Sequence, residues 1–338
     1  MTARARSLSP LSFHILAALL AVVLSSPAQG AEAKYGAEFL KIGVGARALG
    51  MGGAFVALAD DASAPFWNPA GLVSVQTGEL LFMHSEHFGS LANHDYFGFV
   101  QPLEGDSRSA VGVGLIRFSI DEILVTRDAF DDLNGSGEWE PGEPIRTDQF
   151  RSDSDDEYGL LLSYARDMAD LWSLGGNVKL LRQGLLDNTS FGMGLDLGVL
   201  FHPRPNLDLG LRVSDVTQTQ VSWDTGHRES ISPTVALGLK YTQPMPGLKG
   251  SLTAAGDFNQ TLDGRDAASQ AGGGDFQGGL EYWHDDVVAA RVGSDAGDFT
   301  AGAGLRIRSL LGGLGVDYAF LAHDVFDDTH RVSASVRF

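Results

Sequence analysis

The sequence contains no cysteine, which excludes a disulfide framework, a thiolate metal site and a lipid-modified cysteine. Beyond residue 30 no run approaches the ~20 consecutive apolar residues of a membrane-spanning helix. Basic residues are scarce: 24 Lys and Arg stand against 43 Asp and Glu, for a formal net charge of −19. So acidic a chain is unsuited to holding nucleic acid or anionic lipid through charge. A serine-centred nucleophile elbow is also missing. What is abundant is glycine, with 43 residues, in a chain that is 43% hydrophobic.

The first thirty residues read as a signal peptide. Arg4 and Arg6 precede the apolar run "FHILAALLAVVL", and small residues Ala28 and Gly30 follow at cleavage positions, so the mature chain is expected to begin at Ala31. An exported chain without a helical span is either free in the periplasm or a closed β-barrel, the other structure that satisfies its backbone inside a bilayer.

Period-two patterning, which a soluble sandwich shares, marks the strands; their number and the lengths of their connections decide for the barrel. Val235, Leu237, Leu239 and Tyr241 alternate with Ala236, Gly238 and Lys240. Phe191, Met193, Leu195, Leu197 and Val199 alternate with Gly192, Gly194, Asp196 and Gly198, and Leu314, Val316, Tyr318 and Phe320 with Gly313, Gly315, Asp317 and Ala319. Fourteen such stretches lie between 78–87 and 329–338, most near the ~9–11 residues of a tilted barrel strand. The connections sort by length as a barrel requires. One set is short ("PLEGDS", "DMAD", "HPRPN", "QPMPG", "HD", "RSL"), while 120–155, 215–232 and 259–273 in the other set are long and polar. Tyr158, Tyr164, Trp172, Tyr241, Tyr282, Trp283 and Tyr318 fall toward strand ends, where girdle residues sit. The expected fold is an all-β, 14-stranded antiparallel transmembrane β-barrel, both termini periplasmic, comprising a signal peptide (1–30), an N-terminal hatch in the lumen (31–77) and the barrel (78–338).

The segment "GVGARALGMGGA" superficially suggests a phosphate loop, but no strand precedes it and no Gly-Lys-Ser follows. The longer stretch "GARALGMGGAFVALADDASAPFWNPAGL", Gly45 to Leu72, resembles the N-terminal signature of the PorV/PorQ family within the FadL-like outer-membrane barrels. The resemblance implies a lumenal hatch with a corner at Asn68, Pro69 and Ala70, and glycines Gly50 to Gly53 where backbone meets wall. Asp60 and Asp61 would cap hatch helices or bind lumen arginines. A terminal strand ending in Phe338 likewise resembles the signal read by barrel-assembly machinery. The implied partners are outer-membrane lipid and either secreted proteins, as in type IX secretion, or hydrophobic small molecules held at Phe55, Leu58, Phe66 and Trp67.

A second motif, "DLNGSGEWEPGE", matches a twelve-residue EF-hand loop within the long connection 120–155 once Ser136 is accepted at position five, where the template takes Asp or Asn. Asp132, Asn134 and Ser136 supply oxygens at positions one, three and five, Glu138 a carbonyl at seven, and Glu143 a bidentate carboxylate at twelve, with Gly137 at the turn and Glu140 at nine. The expected cofactor is a structural Ca²⁺. His84, Glu86, His87 and His94 gather near a short connection, but His84 and His87 have opposite strand parity, which is poor geometry for one metal. Arg117, Lys179, Asp196, Arg212, Lys240, Asp257 and Asp317 are expected to pair with each other or with the hatch. No catalytic constellation is present, so the chain reads as a non-enzymatic barrel serving protein export, with passive transport of hydrophobic molecules as the alternative.

Overall fold

Alternating apolar and small or polar residues, with 17 to 19 residues in the longest runs, build sixteen strands in the computed structural model. It describes residues 37–105, 108–127, 129–169, 171–262, 274–309, 312–323 and 328–338. The signal-peptide reading over 1–30 lies outside these residues. The strands are β1 (Glu79–His87), β2 (Ala92–Leu103), β3 (Ser109–Val125), β4 (Arg151–Ala169), β5 (Trp172–Leu185), β6 (Asn188–Arg204), β7 (Leu207–Ser214) and β8 (Thr219–Trp223). There follow β9 (Arg228–Ile231), β10 (Thr234–Met245), β11 (Gly250–Thr261), β12 (Asp275–His284), β13 (Val288–Asp295), β14 (Asp298–Ser309), β15 (Gly312–Leu321) and β16 (Thr329–Arg337).

All strands but β8 and β9 form a closed 14-strand antiparallel barrel. Closure is made by β1 on β16, with Leu80 opposite Val336 and Phe82 opposite Ala334. All fourteen expected stretches coincide with barrel strands. The short hairpin β8–β9, inside the expected loop 215–232, is the addition. It pairs with the upper part of β6 (Ser190 opposite Trp223), whereas the lower part of β6 pairs with β7. Five- and four-residue strands are too short to announce themselves in sequence, and they persist by borrowing the edge of β6.

The apolar face read from sequence points out of the barrel. Phe191, Met193, Leu237, Leu239, Leu314 and Val316 are exposed on the outer surface, while Gly192, Asp196, Gly238 and Ala319 face inward and are buried. This is the arrangement that puts side chains against lipid and leaves glycine and polar groups for the interior. Two expected positions differ. Trp283 is buried on the lumen side with the Arg306 guanidinium 3.8 Å above its ring, so it belongs to no girdle. Arg117 sits on the outward parity of β3, pairing with Asp156 at 3.0 Å, so it is not a lumen charge.

Candidate functional site

Residues 37–76 have no strand and no helix longer than six residues. Their helical turns are Glu38–Lys41, Ala46–Leu49, Ala64–Trp67 and Pro69–Ser74. Helices this short do not persist alone, so surrounding contacts hold them. Pro65 and Pro69 open the last two turns, and the Asn68 side chain accepts the Ala70 amide at 3.1 Å. The Asn68 amide also donates to the carbonyl of Val56 at 2.8 Å and reaches that of Val199 on β6. One side chain thus ties two parts of the segment to the wall.

The segment touches the barrel all round its inside. The Ala46 amide donates to the Ser333 hydroxyl on β16, Tyr96 on β2 donates to the carbonyl of Ala62, and Asn177 on β5 to that of Pro65. Asp257 on β11 accepts the amides of Phe55 and Val56 at 2.7 and 2.8 Å. Backbone approaches wall so closely that a side chain is excluded. A Cβ on Gly293 would collide with Met51 and Gly52, and one on Gly175 with Pro69 and Ala70. The expected approach at Gly50 to Gly53 is present: Gly50 lies against Gly302, and Gly52, at φ +67°, against the backbone of Ser294.

A buried ion network fastens the same segment. Arg47 binds Glu281 on β12 through two hydrogen bonds of 2.9 Å and also reaches Asp60 and Asp61. Glu281 takes Arg291 at 2.7 Å, and Arg291 takes Asp317 at 2.8 Å. Asp60 and Asp61 therefore meet an arginine of their own segment rather than one of the wall. Asp61 additionally accepts the amide and hydroxyl of Ser63. Arg47, Glu281 and Arg291 were not singled out from sequence. A signal was available: Glu281 occupies an inward position of β12, directly opposite Arg291.

Above the segment, toward the long connections, lies a cavity of about 300 Å³. Its floor is Leu40, Ile42, Leu49, Phe66 and Trp67, and its walls carry Lys179, Asp196, Arg212, Asp215, Asn259, Gln277 and Asp295. Of the residues expected to line a pocket, Phe66 and Trp67 do so. Phe55 and Leu58 are instead buried in the segment's own core, and Asn68 and Pro69 pack against Gly198 and Gly175. Lys179 is held between Asp196 at 3.1 Å and Asp215 at 2.6 Å. Arg212 donates to the carbonyls of Phe66 and Trp67, and Lys240 pairs with Asp208.

The loop Asp132–Glu143 is exposed and internally bonded. Asp132 accepts the amides of Gly135, Ser136 and Gly137, Asn134 accepts that of Ser136, and Ser136 donates to the carbonyl of Glu138. Glu143 turns back to accept the amides of Leu133 and Glu140. Among the described residues no group of three or more His, Asp or Glu side chains converges as a metal centre. His84 pairs outward with Asp95 at 2.7 Å, whereas His87 and His94 face inward with ring centroids 6.0 Å apart.

A family model described as an uncharacterised protein family (UPF0164) matches residues 17–122, which include the lumen segment, β1, β2 and most of β3. No curated protein matches the sequence. Among solved structures, the Ralstonia pickettii toluene transporter TbuX is similar at 14% identity and TM-score 0.55, over 88% of this chain and 98% of that one. The P. putida toluene transporter TodX is similar at 12% identity and TM-score 0.54, over 88% and 99%. The monoaromatic hydrocarbon channel CymD is similar at 12% identity and TM-score 0.52, over 88% and 98%. The chain thus shares with these transporters and this channel the fold of a closed 14-strand antiparallel β-barrel.

Proposed function

We propose that the protein passes small, largely apolar molecules across the outer membrane, with residues 37–76 as the hatch that seals the lumen. The observation that carries this reading is the cavity of about 300 Å³ floored by Phe66 and Trp67, since apolar pockets with a few convergent polar groups are where small ligands bind. Its place beneath the long connections gives it an opening toward the cell exterior, with both termini in the periplasm. The fold shared with toluene transporters supports the same reading. A non-enzymatic role is part of this reading, supported by the shared fold with transporters and a channel. A second reading, an accessory of protein export of the PorV/PorQ type, is favoured by the largely exposed acidic stretch 131–149, a surface suited to docking exported chains. In either role the Asp132–Glu143 loop takes Ca²⁺ as a structural ion.

The two readings separate when the protein is purified from its own membrane and everything that accompanies it is identified by mass spectrometry. Apolar small molecules recovered with the wild type and lost from Phe66→Ala/Trp67→Ala support transport. Secreted proteins or translocon subunits around an empty cavity would overturn transport in favour of export.

A further inference from the structure

Two buried polar atoms of the cavity wall have no partner among the described residues. Arg212 donates from Nη1 to the carbonyls of Phe66 and Trp67, at 3.1 and 3.3 Å, while its Nε–H meets no acceptor. Asn259 donates from Nδ2 to Gln277 Oε1 at 2.9 Å, while its own Oδ1 meets no donor. The orientation of that amide is set from behind. The Asp295 carboxylate accepts Gln277 Nε2 at 2.7 Å, which turns Gln277 Oε1 toward Asn259 and leaves Asn259 Oδ1 bare. Buried polar groups are as a rule hydrogen-bonded, and one left unpaired is unfavourable.

Both residues line the cavity and stand in one row across the wall. Arg212 on β7 lies opposite Ala236 on β10, and Ala236 lies opposite Asn259 on β11. Two strand spacings separate the outer pair, roughly 10 Å, and Ala236 puts only a methyl between them. A donor therefore comes from one side and an acceptor from the other, next to the aromatic floor to which Arg212 is bonded. A hydroxyl group matches this pair, because one oxygen both accepts and donates. A full charge does not: an ammonium would meet Arg212, and a carboxylate would meet Asp196, Asp215, Asp275 and Asp295 in the same lining.

We propose that the cavity selects neutral aromatic molecules that carry a hydroxyl, phenols and aryl alcohols, with Arg212 and Asn259 as the residues that read it. The hydroxyl oxygen accepts from Arg212 Nε–H and its proton is donated to Asn259 Oδ1. The ring lies on the Phe66 and Trp67 floor. Gln277 and Asp295 act as positioning residues that hold the Asn259 amide in the accepting orientation. This inference rests on the small-molecule reading above.

The test compares p-cresol, 4-methylanisole and toluene, which share a methylated ring. The first donates and accepts, the second only accepts, and the third does neither. Binding is measured by equilibrium dialysis of the full barrel in nanodiscs against empty nanodiscs. Wild type is expected to hold p-cresol about tenfold more tightly than 4-methylanisole. Asn259→Leu is expected to abolish that preference and leave 4-methylanisole and toluene unchanged. Arg212→Met is expected to weaken p-cresol and 4-methylanisole alike relative to toluene, whose binding reports an intact floor. The wild-type comparison needs no variant, so it decides even where a substitution fails to fold. Equal or tighter wild-type binding of 4-methylanisole, or a p-cresol preference that survives Asn259→Leu, overturns this inference alone if toluene still binds, and leaves water as the partner of both groups. Absence of binding by all three overturns the small-molecule reading and this inference with it.

Discussion

Within the barrel wall each strand is bonded to two neighbours along its length, and the sheet closes on itself through β1 and β16. Residues 37–76 have the opposite economy: four helical turns of four to six residues, joined mostly to the wall rather than to one another. The wall supplies its own hydrogen bonds; the segment obtains order from contacts with β2, β5, β6, β11, β12 and β16. Wall and segment are therefore expected to fail separately. A lesion at their interface releases the segment and leaves the barrel closed.

The largest separation is expected at the ion network. Glu281→Ala removes the carboxylate that Arg47 and Arg291 share, leaving Arg47 to Asp60 and Asp61 and Arg291 to Asp317, and breaking such a buried pair costs about 3–5 kcal/mol. Limited proteolysis of the detergent-solubilised protein should then cut within residues 37–76 while heat-resistant migration of the barrel persists. Loss of the barrel itself would mean that wall and segment fold as one unit. Gly293→Leu tests the same boundary sterically. The added side chain meets Met51 and Gly52, at an overpacking cost of about 1–3 kcal/mol. Single-channel conductance in planar bilayers is expected to rise from closed to intermittently open. A permanently closed variant would show that the wall yields instead.

A smaller effect is expected at the corner. Asn68→Ala removes one cap and two carbonyl contacts, about 1–2 kcal/mol together, and should raise protease sensitivity of the segment without opening the pore. The smallest lies far from the boundary. The Gly137 amide, with those of Gly135 and Ser136, holds the Asp132 carboxyl below the usual carboxylate range. The order it gives the loop is present above the ordinary carboxylate pKa and is lost as pH falls through the lowered value. Fluorescence of Trp139, whose indole bonds the Glu143 carbonyl, should report that loss, and Ca²⁺ should move it to lower pH. An unchanged profile with Ca²⁺ removes the ion from the loop.

The wall was readable because its structure repeats along the chain. Leu237 and Leu239 face outward and Gly238 inward for the same reason that the strand is pleated, so period two alone placed all fourteen barrel strands. The place where that reading stopped is instructive. Trp283 has girdle chemistry and a strand-end position, yet its parity puts it inside, under Arg306. Parity was the better guide than residue type.

At the candidate site less was legible. Phe66 and Trp67 could be named from a motif, but nothing in "AFVALADDASAPFW" distinguishes them from Phe55 and Leu58, which are equally apolar and end in the segment's core. Only the fold separates them, because no periodicity governs a segment without a repeating element.

Composition and alternation by themselves determined the class of the molecule, its strand count, its outward and inward faces and the sorting of its connections. These properties follow from backbone hydrogen bonding and the two-residue pleat, which act locally and identically in every strand. The tertiary structure decided what lies inside. It brought Arg47 to Glu281 across 234 residues and Phe55 to Asp257 across 202, and it faced Asp275 and Asp295 toward the Phe66–Trp67 floor. Those contacts depend on which wall positions curl past one another when the sheet closes, and no local rule carries that information.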